Sequence, residues 1–497
     1  MVHGWKRIAL LHFSKLRSLP MEEGCNTLLS HSTEPAWRFT MQSILPWLGV
    51  LVLIVSGWAV VKKYQVNMVL FLGGLVLNIL ALMGGMDSLM AKGSTGFVGF
   101  DLIALLHQIS TSQIAGVGFI ILVSGGFASY MQAIGASDRF VTVCAKPLGY
   151  FKNPYVILAL VFIFGHVLSL VITSAAGLAM LMVVTVYPLI ISVGCSPLSA
   201  AAVVASVLII GYAPASGTAN LAAQLVGLEP IEYLVKYQLP MAVPTVLAMA
   251  VAHVIVQYWF DRKEGRGEIA DLEELAAKRK NLENAAPAFY AIFPILPIVF
   301  LLIFNKMVYK SVVLNVPTAM FLCWFLAFLV DVVVRRNVKE SFDLSFSLFK
   351  GMGSILTSTV GLIFVAAFFA KGLQNVGIVD LLVDGAKGLG LGATGMGVVL
   401  SAVIGTVTVL TGSGVAAFTS LGQIVPDVAA GMGVDGISMM LMMHTAAEML
   451  RAMSPVAGVV IIVAGFAKVD PLTMVKRTSI PILVGYVVML TTVATLF

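Results

Sequence analysis

The chain has 497 residues, 59% of them hydrophobic and only 11% charged, with a mean hydropathy of +1.00. A soluble fold of this length could not bury so much apolar surface, so the composition excludes a soluble enzyme or binding module and gives an integral membrane protein. The formal net charge of +6 does not point to nucleic acid, because the basic residues fall in short loops between apolar runs.

Residues 1–40 differ from the rest of the chain. They carry Lys6, Arg7, Lys15, Arg17 and Arg38, and their apolar runs are too short to span a bilayer. They read either as an amphipathic basic segment on the membrane surface or as a disordered or mis-assigned start, with Met41 the true first residue. The second reading is the expectation. Apolar spans are then expected at 45–61, 67–86, 113–133, 198–228 and 238–259. The segment 154–193 is also apolar but carries Thr173-Ser-Ala-Ala-Gly177 in its middle. A charged stretch, Asp261–Glu283, interrupts and reads as a short amphipathic helix in a surface linker. Further spans are expected at 288–305, 312–334, 354–373, 436–467 and 480–497, with a second interrupted segment, 393–430, around Thr411-Gly-Ser-Gly414.

Two of these spans cannot be regular helices. The first contains Gly211-Tyr-Ala-Pro-Ala-Ser-Gly-Thr-Ala-Asn220, and the second contains Arg451-Ala-Met-Ser-Pro-Val-Ala-Gly458. Pro214 and Gly217, matched by Pro455 and Gly458, should open the backbone there. Other residues fall in the same register: Gln132, Gly135 and Asp138 with Gln374, Gly377 and Asp380; Thr173 with Thr411; Pro188 with Pro426; Pro230 and Pro240 with Pro471 and Pro481. This pattern predicts an internal duplication. The expected organisation is an N-terminal extension (1–40), a first transmembrane repeat (41–260), a cytoplasmic charged linker (261–286) and a second repeat (287–497). The fold class is all-α: a polytopic membrane protein of two inverted repeats, each with about five transmembrane helices, one of them broken, plus a hairpin. Placing the loop after the first span inside puts about 18 Lys and Arg in inner loops and about six in outer loops, as the positive-inside rule requires.

Broken helices at corresponding positions of two halves point to a transporter's binding site. Two hairpin tips and two breaks would meet near mid-membrane. The helix N-termini after each tip present unpaired amides and partial positive charge, which suit a carboxylate. Thr173, Ser174, Thr411 and Ser413 at the tips, and Ser216, Thr218, Asn220 and Ser454 at the breaks, would add hydrogen bonds. The competing reading is that small polar residues merely allow close helix packing. Arg451 is the outstanding charge within a span. At the bilayer centre an arginine costs roughly 2.5–3.5 kcal/mol on insertion scales, so it needs a partner. Its planar fork fits a carboxylate bidentately. Glu448 lies one helical turn before it and His444 one turn earlier, so all three share a face. Arg451 would hold a substrate carboxylate, with Glu448 or His444 carrying a proton or ion; alternatively Glu448 and Arg451 form an internal pair that only fixes the helix. His253 and Lys371 read as snorkelling span-end residues, and Asp138 and Asp380 as loop or cap residues.

No enzyme motif is present, neither H-E-x-x-H, G-x-S-x-G, a Walker loop nor G-x-G-x-x-G after a strand. The four cysteines, Cys25, Cys144, Cys195 and Cys323, form no metal-ligand or disulfide pattern, so no metal or cofactor is expected. Without an ATP site, transport would run on gradients or exchange.

Several stretches are similar to the DcuC-type carriers of four-carbon dicarboxylates, including the close DcuD-like branch. They are Gly126-Phe-Ala-Ser-Tyr-Met with Ile134-Gly-Ala-Ser137, Ile172-Thr-Ser-Ala-Ala-Gly-Leu178, Ala222-Ala-Gln224, Pro287-Ala-Phe-Tyr-Ala-Ile292, Arg451-Ala-Met-Ser-Pro455 and Val475-Lys-Arg-Thr-Ser-Ile-Pro481. The resemblance runs from about Met41 to the C-terminus. It implies a multi-pass carrier of the bacterial inner membrane, with paired hairpins and broken helices. It also implies succinate, fumarate, malate or aspartate as substrates, moved by exchange or linked to H+ or Na+, typically in anaerobic growth. Sister carriers often dimerise, so a homodimer is a further expectation. The second tip departs from the family's usual Gly-Ser-Gly-Asn-Ala-Pro-Phe: here it is Gly412-Ser-Gly-Val-Ala-Ala-Phe418. Two other readings stay open, a cation/proton antiporter using Glu448 and His444, and the membrane subunit of a larger transport complex.

Overall fold

The computed structural model describes residues 36–497 except 87, 91–92, 152, 213, 215, 266–285, 305–307 and 309–310. Most of the expected N-terminal extension and of the charged linker therefore lies outside the described residues. Every regular element among the described residues is helical. In order they are α1 (Ala36–Val61), α2 (Val66–Met83), α3 (Val98–Ala133), α4 (Ala136–Ala145), α5 (Pro154–Ser169), α6 (Ala175–Thr185), α7 (Tyr187–Ser192), α8 (Pro197–Ala205), α9 (Gly217–Leu225) and α10 (Pro230–Glu264). After the linker come α11 (Leu296–Ile303), α12 (Val316–Arg335), α13 (Val338–Asn375), α14 (Ile378–Gly388), α15 (Ala393–Thr411), α16 (Gly414–Leu421), α17 (Val425–Met432), α18 (Ile437–Leu450), α19 (Gly458–Ala467) and α20 (Pro471–Leu496). Eleven helical segments among the described residues are long and apolar enough to cross a membrane.

The helix starts follow local chemistry. Asn153, Ser196, Asn315 and Asp470 each accept a backbone N–H of the first turn, and each of the four helices begins with a proline at its first or second position. A side-chain acceptor satisfies an orphan donor, and proline has no N–H to leave unsatisfied there. Gly412 and Gly433, at φ of 75° and 69°, end α15 and α17. That left-handed conformation is open to glycine without strain.

Several elements exceed the expected spans. The span expected at 113–133 begins at Val98, the one at 354–373 begins at Val338, and the one at 238–259 extends over Pro230–Glu264. The added turns carry Asp101, His107, Asp343, Lys236 and similar residues, so they fall below the hydropathy of a span although the backbone stays helical. The span expected at 288–305 is instead a short 3-10 turn, Ala288–Ile292, followed by the eight-residue α11. Pro287, Pro294 and Pro297 punctuate that stretch, and proline removes the donors a continuous helix needs.

The two long helices α3 and α13 are built alike. Each contains one π-helical turn, at Ile114–Gly118 and at Leu356–Val360, and the two turns touch. A π turn inserts one extra residue and kinks the ladder; at Gly116 the backbone leaves helical geometry (φ −85°, ψ −115°). The helices pack antiparallel: Gly125 faces Ile355, Gly126 faces Leu348 and Met352, and Ser129 faces Gly351. The last helices, α10 and α20, also run antiparallel, with Met249 against Gly485 and the Gln257 amide donating to the Arg477 carbonyl at 3.2 Å. α2 packs along α13, Gly74 under Phe368, and the Asn375 amide donates to Asn78 at 2.9 Å.

Candidate functional site

A cavity of about 790 Å³ lies between α3, α13, the tip before α6 and the break before α9. Its wall is mostly apolar surface with polar side chains interspersed, as small-molecule sites usually are. The break is wider than its motif predicts. The helix ends at Ala205, the described residues from Ser206 to Ser216 are non-helical, and α9 starts at Gly217. Gly217 and Gly458 are thus first residues of new helices, while Pro214 and Pro455 lie in the turns before them. The opened backbone is satisfied from elsewhere: the Asn220 amide donates to Pro214 and Ser216 carbonyls at 2.7 Å each, and the Gln238 amide to the Gly211 carbonyl at 2.7 Å.

Six of the predicted binding and coupling residues meet at this cavity, Thr173, Ser174, Ser216, Thr218, Glu448 and Arg451, together with the break residue Gly217. Ser174 and Ser216 serve first as helix caps, accepting the Gly177 and Ala219 amides at 3.1 and 3.4 Å. Thr218 is the hub. Its hydroxyl donates to Glu448 Oε1 at 2.9 Å and lies 3.0 Å from Ser216 Oγ and 3.2 Å from His444 Nε2. Glu448 Oε2 stands 3.3 Å from Arg451 Nη1, and Arg451 Nη2 donates to the Leu208 carbonyl at 2.6 Å. Arg451 Nε is buried without a hydrogen-bond partner. The arginine therefore bridges the second break to the first, with one carboxylate on one side and donor capacity left over.

Three predicted hydroxyl residues of the second half lie away from the cavity. Thr411 donates to the Val407 carbonyl at 2.8 Å, Ser413 caps α16 through the Ala416 amide at 3.2 Å, and Ser454 is fully buried. The second tip is shut against its own break. A Cβ at Gly412 would stand 2.9 Å from the Ala457 backbone, and one at Gly414 would collide with the Ala447 carbonyl of α18. Of that tip only Val415 reaches the cavity. Asn220 and His444 are also off the wall. Asn220 pins the break, and His444, fully buried, holds Thr218 and packs edge-on against Phe418 with ring centroids 5.0 Å apart.

Other residues stand differently from their sequence reading. Asp138, expected as a loop or cap residue, lines the cavity beside Gln132, whose amide donates to it at 2.8 Å. The in-register pair Gln132/Asp138 and Gln374/Asp380 was the available signal, but periodicity does not say which copy is buried. His253, expected to snorkel, is fully buried with Nε2 3.1 Å from Ser206 Oγ. Arg477, counted with the loop cations, is 1% exposed and held by Asp261 at 2.6 Å and Glu264 at 2.8 Å. No group of metal-ligating side chains occurs among the described residues.

Comparison with known proteins adds a family and a fold. A family model described as "DcuC: C4-dicarboxylate anaerobic carrier" matches residues 45–497. A curated relative from Escherichia coli K12, named anaerobic C4-dicarboxylate transporter DcuC, is 34% identical over 445 residues, covering 89% of this chain and 95% of the relative. Two solved transporters share the fold at low identity. Neisseria gonorrhoeae MtrF, described as illuminating a class of antimetabolite efflux pumps, has a TM-score of 0.59 and 12% identity, covering 88% of this chain and 97% of its own. The Alcanivorax borkumensis YdaH transporter has a TM-score of 0.56 and 14% identity, covering 86% and 98%.

Proposed function

The chain belongs to the DcuC family of C4-dicarboxylate anaerobic carriers, and from that membership we propose that it is a secondary carrier that exchanges four-carbon dicarboxylates across a bacterial inner membrane. The observation that carries the site is Arg451 on the wall of the same cavity that the first residues of α6 line. One substrate carboxylate takes the Arg451 guanidinium, for which Glu448 is the resident counter-ion. The second carboxylate meets the Thr173–Gly177 tip, where helix-end amides and the α6 dipole favour an anion. Thr218 and Ser216 orient the arginine's carboxylate partner, His444 holds Thr218 in place, and Pro214, Gly217, Pro455 and Gly458 keep the backbone open.

The chain is read here as two inverted repeats joined by the charged linker. Supporting this are the matched π turns of α3 and α13, their antiparallel packing across those turns, and the antiparallel pairing of α10 with α20. Matched left-handed residues, Gly135 with Gly377 and Gly227 with Lys468, add to it. Two halves that rock about the α3–α13 crossing would expose the cavity alternately to each side. In the state described the second tip is closed and the first lines the cavity.

The test is counterflow in proteoliposomes loaded with unlabelled succinate, with labelled succinate, fumarate, malate, aspartate or a monocarboxylate outside. Saturable exchange of the dicarboxylates without the monocarboxylate is expected. Sodium-dependent proton flux with no organic acid movement would replace this reading with the cation antiporter.

A further inference from the structure

We propose that Asp138 is a proton-binding group on the cavity wall, and that its protonation admits the dianionic substrate. The proposal rests on the reading of this cavity as the dicarboxylate site. Asp138 is 8% exposed and lines the cavity. Its only side-chain hydrogen bond among the described residues is the one Gln132 donates to Oδ1 at 2.8 Å, and it forms no ion pair there. A buried carboxylate without a cation is costly, and it gains most by taking a proton. Burial pushes this carboxyl above its usual range, with the Gln132 hydrogen bond opposing.

The neighbouring groups leave that assignment standing. α4 packs on the Ala288–Ile292 turn, on α3, on α6 and on the Lys146–Tyr150 turn. From the first, the Tyr290 hydroxyl donates to Asp331 at 2.9 Å, and Arg335 neutralises Asp331 at 2.8 Å. From α3 comes Tyr130, whose hydroxyl has no hydrogen bond. α6 carries no titratable side chain, Lys146 and Tyr150 are exposed, and α4 itself adds Arg139 and Cys144. Among the described residues none of these makes a hydrogen bond or ion pair with the Asp138 carboxylate. The corresponding position in the second half is unlike it: Asp380 is exposed, and Gln374 accepts from Lys371 Nζ at 2.5 Å.

An ionised Asp138 repels a dianion entering the cavity. Taking one proton converts the carboxylate to a carboxylic acid, removes that charge and supplies an O–H donor for the substrate. Release of the proton on the other side of the membrane would complete one coupled cycle.

The experiment compares wild type with Asp138→Asn, which has the shape of the protonated acid and accepts the same Gln132 hydrogen bond. With succinate in proteoliposomes, wild-type entry should rise as pH falls. Whatever counterflow the variant retains should have a flat pH profile. One coupled proton gives about tenfold accumulation per unit of pH gradient, because one pH unit is a factor of ten in proton activity; the variant should lose that factor. An unchanged pH profile and unchanged accumulation in the variant overturn the proposal, as does accumulation driven by sodium alone. Independently of transport, infrared difference spectra of the purified protein should show a carboxylic C=O band that titrates and is missing in Asp138→Asn. Gln132→Leu, which removes the hydrogen bond favouring the charged form, should move that band's midpoint to higher pH, and it serves if the Asn variant folds poorly. A band identical in all three proteins overturns the assignment even if wild type moves no dicarboxylate, an outcome that would separately end the carrier reading.

Discussion

Replacing Arg451 by glutamine should affect stability and transport by separable routes. The guanidinium lies 3.3 Å from Glu448 and donates to the Leu208 carbonyl at 2.6 Å, while the Glu448 side chain is 4% exposed. Removing one partner of a buried pair leaves the other charge uncompensated and costs roughly 3–5 kcal/mol. The single variant should therefore lose thermal stability in detergent. The double variant Arg451→Gln/Glu448→Gln removes both charges together, so most of that stability should return. Transport should not return with it. A hydrogen bond to a charged group contributes about 1.5–3 kcal/mol, which is roughly 10- to 150-fold in affinity for the carboxylate. Glu448→Gln alone should behave oppositely: with its resident competitor neutralised, Arg451 is freer for substrate, and the apparent KM for succinate should fall. The assay is melting temperature beside counterflow KM for the four proteins. Recovery of both stability and wild-type KM in the double variant would refute the site, because it would leave Arg451 with a structural role alone.

Three further outcomes follow from packing and charge. Gly126→Val should lower the melting temperature steeply, since a Cβ there stands 2.7 Å from the Leu348 carbonyl at the α3–α13 crossing. Gly57→Val, with nothing within 4 Å of its Cβ, should be close to neutral. Gly412→Ala should reduce counterflow and stability together: the position needs φ of 75°, and the added methyl meets the Ala457 backbone at 2.9 Å. The expected cost is about 1–3 kcal/mol by thermal shift. Arg477→Leu leaves Asp261, its side chain 2% exposed, without its cation and should cost roughly 3–5 kcal/mol. Arg477→Leu/Asp261→Asn should recover most of that in the same assay.

Part of the polar lining of this cavity was legible because membrane sequence is constrained at few, conspicuous positions. A proline beside a glycine in an apolar run marks a break, since the freed backbone groups must find partners at bilayer depth. An arginine in such a run marks a pair or a ligand. Those two arguments located Ser216, Thr218, Glu448 and Arg451, and the tip glycine pattern located Thr173 and Ser174. The hydroxyls of Ser413 and Thr411 carried the same pattern and went elsewhere. Their tip closes on the second break because Gly412 allows backbone contact there, and on α18 because Gly414 does the same at Ala447.

By itself the sequence determined an all-helical membrane protein, most of its apolar spans, the two breaks and the charge that stands at one of them. Hydropathy, proline and glycine act locally, so they can be read without knowing what packs on what. Only the tertiary structure decided which tip opens on the cavity, that Asp138 is on its wall while Asp380 is exposed, and that Arg477 is a buried clamp and not a loop cation. Burial and ion pairing of a given side chain depend on neighbours up to hundreds of residues away in the chain, as Thr218 and Glu448 are, and no local pattern encodes them.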